Sequence, residues 1–130
     1  DHYDNDLSLE ELFASVEQTG DLPMTAAPSV LEFVRFFDVW SSIDFLGISS
    51  QLSATIQNAH LAAKQLKKPD SYVYDPLNLS TGIGLLALKA CDLRGEGKSS
   101  LDILSRLLEI RPKVKTILVI DTMDYLYKGG

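Results

Sequence analysis

Apolar residues return every three or four positions in one segment after another of this chain, and that spacing constrains it to helices that each bury a face. Ser8 and Glu11 have the spacing of a capping box, in which the hydroxyl takes one free helix amide and the carboxylate reaches back to another. Leu9, Leu12, Phe13 and Val16 then fall on one stripe with Glu10, Glu11 and Glu17 turned away, and Gly20 ends the helix. Residues 21–27, interrupted by Pro23, read as a linker. A second helix is predicted from Pro28, whose missing amide hydrogen costs nothing in a first turn. Val30, Val34, Phe37, Ser41 and Phe45 make one stripe and Phe33, Phe36, Trp40 and Ile43 another, so this helix is expected to run through the centre of the fold and stop at Gly47.

Ser49 or Ser50 caps the next predicted helix, whose Leu52, Ile56, Ala59, Ala63 and Leu66 form a single seam. Pro69 closes it, and residues 71–76 read as an extended crossing loop rather than a core strand. Leu79, Ile83, Leu86, Ala90 and Leu93 mark a fourth helix, with Gly82 and Gly84 placed to admit a close neighbour. A fifth begins at Ser99 or Ser100 and turns Leu101, Leu104, Leu107 and Leu108 inward. Beyond Arg111-Pro112 two readings compete: Thr116–Ile120 has the β-branched look of a strand, while Val119, Ile120, Met123, Leu126 and Tyr127 continue a helical stripe. The helix is preferred. The expected fold is an all-α, single-domain bundle of five or six helices over residues 28–130, behind an acidic arm at 1–27. An α/β arrangement with a strand at 116–120 is the alternative.

Charge sharpens that division. Residues 1–27 hold seven acids and no base, whereas residues 28–130 hold eleven acids and twelve bases, so the net charge of −6 comes from the arm. An acidic chain argues against a dominant contact with DNA, RNA or an anionic membrane, which attract positive fields. One cysteine, Cys91, excludes an internal disulfide and any multi-cysteine metal site, and fits an intracellular, cytoplasmic setting. No apolar run approaches the ~20 residues of a membrane span. Asp1 in the first position and the closing Gly129-Gly130 read as the ends of an excised or processed piece.

Residues that carry chemistry are sparse. Gly97-Lys98-Ser99 before a helix, followed by Ile117–Asp121, imitates a nucleotide-binding phosphate loop and its metal-holding acid, yet Asp92 stands where the loop needs a glycine. A capped turn is the plainer account, and a nucleotide-binding protein with a degenerate loop is the remote alternative. His2 and His60 have no partner at catalytic spacing; His60 is expected to be partly buried, and Cys91 to be a small core residue. The acid pairs Asp121/Asp124 and Asp102/Glu109 lack the density of an oxygen-ligated cation site. Asn78-Leu79-Ser80 matches a glycosylation sequon, a three-residue pattern that arises often by chance. The sequence therefore supplies no catalytic residue, no metal ligand and no cofactor, and no segment matches a known family's motif residue by residue.

What remains are binding surfaces. The arm stripe of Leu9, Leu12, Phe13 and Val16 resembles short amphipathic motifs that fill a groove, either in the same chain or in a partner. Lys64, Lys67 and Lys68 with Arg111, Lys113 and Lys115 are candidates for an anion or an acidic partner, and are expected to complement the arm. The expected function is a non-enzymatic protein–protein interaction module whose partner is another protein or a second copy of the chain. A helical carrier of lipid or another apolar ligand is the alternative, from the aromatic residues of 33–45 and the small residues of the fourth helix.

Overall fold

The computed structural model describes residues 7–120, which fall into two units: residues 27–117, and a smaller one of residues 7–26 with 118–120. In the smaller unit, helix α1 (Leu9–Thr19) starts at a complete capping box between Ser8 and Glu11. It ends where Gly20 takes a left-handed conformation, φ 75°, and donates its amide to Val16 O at 2.9 Å. Along α1, Leu12 and Val16 are half-buried while Leu9 and Phe13 are exposed.

The larger unit runs α2 (Val30–Asp38), β1 (Ile43–Leu46), α3 (Thr55–Leu66), β2 (Ser71–Tyr74), α4 (Ser80–Gly95) and α5 (Ser100–Ile110), closed by a 3₁₀ turn at Arg111–Lys113. β1 and β2 pair in parallel, with Ile43 opposite Ser71 and Leu46 opposite Tyr74. A parallel pair needs a crossover, and α3 supplies it. The expectation of an all-α bundle is thus wrong: the fold is α/β, with strands at 43–46 and 71–74 that had been assigned to a long central helix and a loop. The alternative strand at 116–120 is not there either. Residues 114–120 form no regular element, and Met123, Leu126 and Tyr127 lie outside the described residues.

The physical reason is brevity. Each strand is four residues long and is covered on both faces, so a period-two contrast between a buried face and a solvent face never develops. Phe45 and Val73 face one way, packing with Phe33, Phe37, Ala59 and Ala62 from α2 and α3. Leu46 and Tyr74 face the other way, against Leu86, Ala90 and Leu93 of α4 and Ile103 and Leu107 of α5. Two cores therefore lie on opposite faces of one small sheet.

The first core is aromatic: the Phe45 ring meets Phe33 edge-on at 5.2 Å and Phe37 at 5.6 Å between centroids. α2 buries a single face rather than two, with Phe33 and Phe37 inside and Phe36 and Trp40 outside. Its start is Ser29, which forms a capping box with Glu32, so Pro28 precedes the helix instead of opening it. Its end is held by Lys68, whose Nζ donates to the carbonyl oxygens of Phe37 (3.0 Å), Asp38 (2.6 Å) and Trp40 (2.6 Å). A cation on the free carbonyls of a last turn satisfies them and complements the helix dipole. The chain is thereby released into β1.

In the second core the Tyr74 hydroxyl donates to Leu107 O at 2.8 Å, and burial raises its pKa while the Arg111 charge pulls it down. α5 is turned from the expected stripe: Ile103 and Leu107 are buried, whereas Leu101 and Leu108 are exposed. Toward the amino end of β1, Arg94 bridges Asp44 and the buried Ser100 hydroxyl, tying α4 and α5 to the strand.

Candidate functional site

Open parallel sheets bind ligands beyond the carboxyl ends of their strands, because the loops there leave the sheet together and helix starts point their free amides the same way. In this chain that edge is rich in hydroxyls. The loop after β1 carries Ser49, Ser50 and Ser53 and leads into Thr55 at the start of α3, and the loop after β2 carries Asp75 and Asn78. Of these, Ser49 and Asn78 are buried, and Ser50 is exposed.

The two loops are tied directly. Ser50 Oγ donates to Asp75 Oδ2 at 2.5 Å, and the Ser50 amide donates to Asp75 Oδ1 at 3.3 Å. The Leu77 amide also reaches Oδ1, at 3.0 Å, and Arg111 Nη1 donates to the Asp75 main-chain oxygen at 3.1 Å. Burial works against ionisation of Asp75, but the Ser50 hydroxyl, the Leu77 and Ser50 amides and the Arg111 charge outweigh it, holding the carboxyl below its ordinary range. Next to this pair, Ser53 Oγ and Thr55 Oγ1 share a hydrogen bond of 2.8 Å that uses one of their two protons.

Asn78 is the second tie. The Ser49 amide donates to its main-chain oxygen at 2.9 Å, its own Nδ2 donates to Val114 O at 2.9 Å, and its Oδ1 accepts from Thr116 Oγ1 at 2.5 Å. With Nδ2 buried and bonded, the Asn78 sequon is closed in the folded protein. Leu77 and Ser80 take positive φ angles of 47° and 48°, a conformation rare for residues with a Cβ and found where a site constrains the chain.

Two helices begin at this edge, α3 and α4, and neither Ala54 nor Leu79 caps its helix through a side chain. The other three helices each have a serine capping box; at α3 Ser53 Oγ instead accepts from the Thr55 amide at 3.2 Å, and at α4 the Gly82 amide turns back to Leu79 O at 3.1 Å, so these two starts are closed by short local bonds rather than by a box. On the face of the sheet toward α5, a shallow cleft with a volume of about 10 Å³ is lined by Asp44, Phe45, Leu46, Tyr72, Tyr74, Ser100, Ile103, Leu104 and Leu107.

The residues singled out from sequence lie elsewhere. Leu9, Leu12, Phe13 and Val16 are on α1 in the smaller unit. Lys64, Lys67 and Lys68 sit at the end of α3, before β2 begins, while Arg111 braces the loop after β2 ends, with Lys113 and the exposed Lys115 following it. The length of the strand lies between the two groups, and the structure does not bring them together. His60 and Cys91, expected inside, are exposed. Gly97 and Ser99 make the capped turn that opens α5, Asp102 completes that cap, and Glu109 pairs with Arg106. His2, Asp121 and Asp124 lie outside the described residues. Among the described residues no three His, Cys, Asp or Glu side chains cluster as metal ligands, and no helix is long and apolar enough to cross a membrane.

Sequence reasoning took Ser49 and Ser50 only as helix caps and passed over Ser53, Thr55, Asp75 and Thr116. The signal that finds them is Ile43–Leu46, apolar but for Asp44, followed at once by Gly47 and four hydroxyl residues within nine positions, a strand-to-loop pattern. These features define an α/β domain with a polar candidate site at the carboxyl edge of a parallel strand pair.

The chain belongs to the DegV family, whose model, described as that of an uncharacterised protein family, matches residues 1–130. It is 34% identical over 129 residues to a DegV domain-containing protein of Caldanaerobacter subterraneus, across 96% of this chain and 46% of that relative. It is 33% identical over 125 residues to a fatty acid-binding protein of Thermotoga maritima, across 91% of this chain and 43% of the relative. A solved Thermotoga maritima structure described as revealing fatty acid binding function superposes with a TM-score of 0.82 at 30% identity, over 94% of this chain and 46% of that one. The chain spans about half the length of the relatives it matches. These likenesses overturn the expected interaction module and adaptor: none of them is to a protein-docking bundle, and they favour the lipid carrier that stood as its alternative.

Proposed function

We propose that this chain is part of a fatty-acid-binding protein, acting by binding rather than by catalysis, with the polar head of the lipid at the carboxyl edge of β1 and β2. The observation that supports this most is the likeness in both sequence and fold to fatty acid-binding proteins of Thermotoga maritima. The chemistry of the edge agrees with it. A carboxylate needs a donor and a positive field; the spare proton of the Ser53–Thr55 pair supplies the first, and the dipoles at the starts of α3 and α4 supply the second. The cleft beside α5, at about 10 Å³, has room for about one water molecule against the roughly 300–1,000 Å³ usual for ligand pockets, so the acyl chain is not assigned to it. A cytoplasmic setting, expected from the lone cysteine, belongs to the same proposal.

Titrating the delipidated full chain with palmitate by calorimetry tests the reading. Saturable binding at one equivalent is expected, and replacing both Ser53 and Thr55 by Ala and Val should weaken it about tenfold or more. No uptake of palmitate, or uptake indifferent to that double change, sinks the assignment of the head group to this edge.

A further inference from the structure

One hydroxyl of the site differs from the rest in where its proton goes. Ser50 Oγ donates to Asp75 Oδ2 at 2.5 Å, and the Ser50 amide on Oδ1 at 3.3 Å makes this a two-pronged hold on a single residue. Asp75 is ionised, for the reasons given above, and an ionised carboxylate only accepts. The Ser50 proton is therefore committed, and what Ser50 offers outward is its lone pairs. An incoming carboxylate would face an acceptor at Ser50 with a negative charge directly behind it.

We infer that Asp75 is a specificity-determining residue of the strand-end site, because it makes Ser50 an acceptor and so selects a lipid head that donates a hydrogen bond at that position. The inference rests on the fatty-acid reading of the site. It divides the edge in two: Ser53, Thr55 and the helix starts favour the charged oxygen of the head, while Ser50 favours a hydroxyl or amide hydrogen. A fatty acid then meets Ser50 well only through a protonated oxygen, and a primary fatty amide meets both halves.

An isosteric change reverses the polarity. In Asp75→Asn the amide oxygen stays at the Oδ1 position, where two main-chain N–H groups require an acceptor. The NH₂ group then occupies the Oδ2 position and donates to Ser50 Oγ, which frees the Ser50 proton for the ligand. The affinities of palmitate and palmitamide, measured on the full chain by competition with a fluorescent fatty acid, read this out. Asp75→Asn should shift the ratio of the two affinities toward palmitate by about tenfold. Ser50→Ala should weaken palmitamide more than palmitate, and adding Asp75→Asn to Ser50→Ala should change the ratio no further. An unchanged ratio in Asp75→Asn with binding retained overturns the inference, as does the same shift in the Ser50→Ala background. Should Asp75→Asn fail to fold, Ser50→Ala decides alone: equal weakening of the two lipids overturns it. Failure of the unaltered chain to bind either lipid overturns the fatty-acid reading itself, a result distinct from an unchanged ratio.

Discussion

A methyl group added at Gly82 has no room. An ideal Cβ there collides with Asn78 Oδ1 and Thr116 Oγ1, the two atoms that bond the loop after β2 to residues 114–116. Gly82→Ala should destabilise the protein by about 1–3 kcal/mol, the usual cost of overpacking, read as a lower urea midpoint. Gly84 has open space around its missing Cβ, and Gly84→Ala should stabilise by roughly 0.5–1 kcal/mol through helix propensity. From sequence the two glycines look alike, each admitting a neighbour; only the position of Asn78 separates them. Asp75 carries the pH dependence of this edge. Its pKa is lowered from 3.8 on folding, so its stabilising contribution is whole above that value and is lost as pH falls through the lower, folded value. Acid unfolding of Asp75→Asn should accordingly lack part of the stability loss that the unaltered chain shows below about pH 4. Equal acid sensitivity of the two would contradict it.

Helix starts with a serine box at the expected place were legible, because a cap is a local device: Ser8 with Glu11 and Ser99 with Asp102 operate within four residues of each other, whereas the expected cap at Ser49 or Ser50 is wrong, since α3 begins only at Thr55 and leaves Leu52 exposed outside it. The strands were not legible, because nothing local defines them. Ile43 continues the spacing of Phe33, Phe36 and Trp40 and Phe45 that of Val34, Phe37 and Ser41, while Lys68, some thirty residues on, holds the end of α2 after Asp38. Lys68→Met keeps the length of the side chain and removes its three bonds to main-chain oxygens. Because those bonds are charge-assisted and the lysine is largely enclosed, a loss of about 1.5–3 kcal/mol is expected by chemical denaturation. Its partner charge, Asp38 at 3.5 Å, is exposed, and Asp38→Asn should change stability by well under 1 kcal/mol. A similar loss for both would mean that the ion pair, not the carbonyl cage, holds the end of α2.

For the molecule as a whole, a hydrophobic core was legible in amount but not in arrangement. Leu86, Ala90 and Leu93 were read as inward-facing and are buried, yet the sheet that separates their core from that of Phe33 and Phe37 was absent from the reading. A two-stranded pair has little stability alone, so it depends on cover from both sides. Leu86→Ala, at a site with no exposure, should cost about 2–5 kcal/mol and unfold both layers in one transition rather than loosening α4 alone. The hydroxyl edge was illegible for the same reason as the sheet: Ser50 and Asp75 are 25 positions apart and meet only because β1 and β2 run side by side.

The Asn78 contacts have a mechanical consequence. Its main-chain oxygen holds the Ser49 amide while its side-chain amide holds Val114 O, so one residue transmits displacement between the loop after β1 and a stretch of chain that follows α5. Anything that pulls Ser49 toward a bound molecule also loads the bond to Val114. A nuclear spin or fluorophore near residue 114 would then act as a remote gauge of occupancy, placed where it touches nothing that binds.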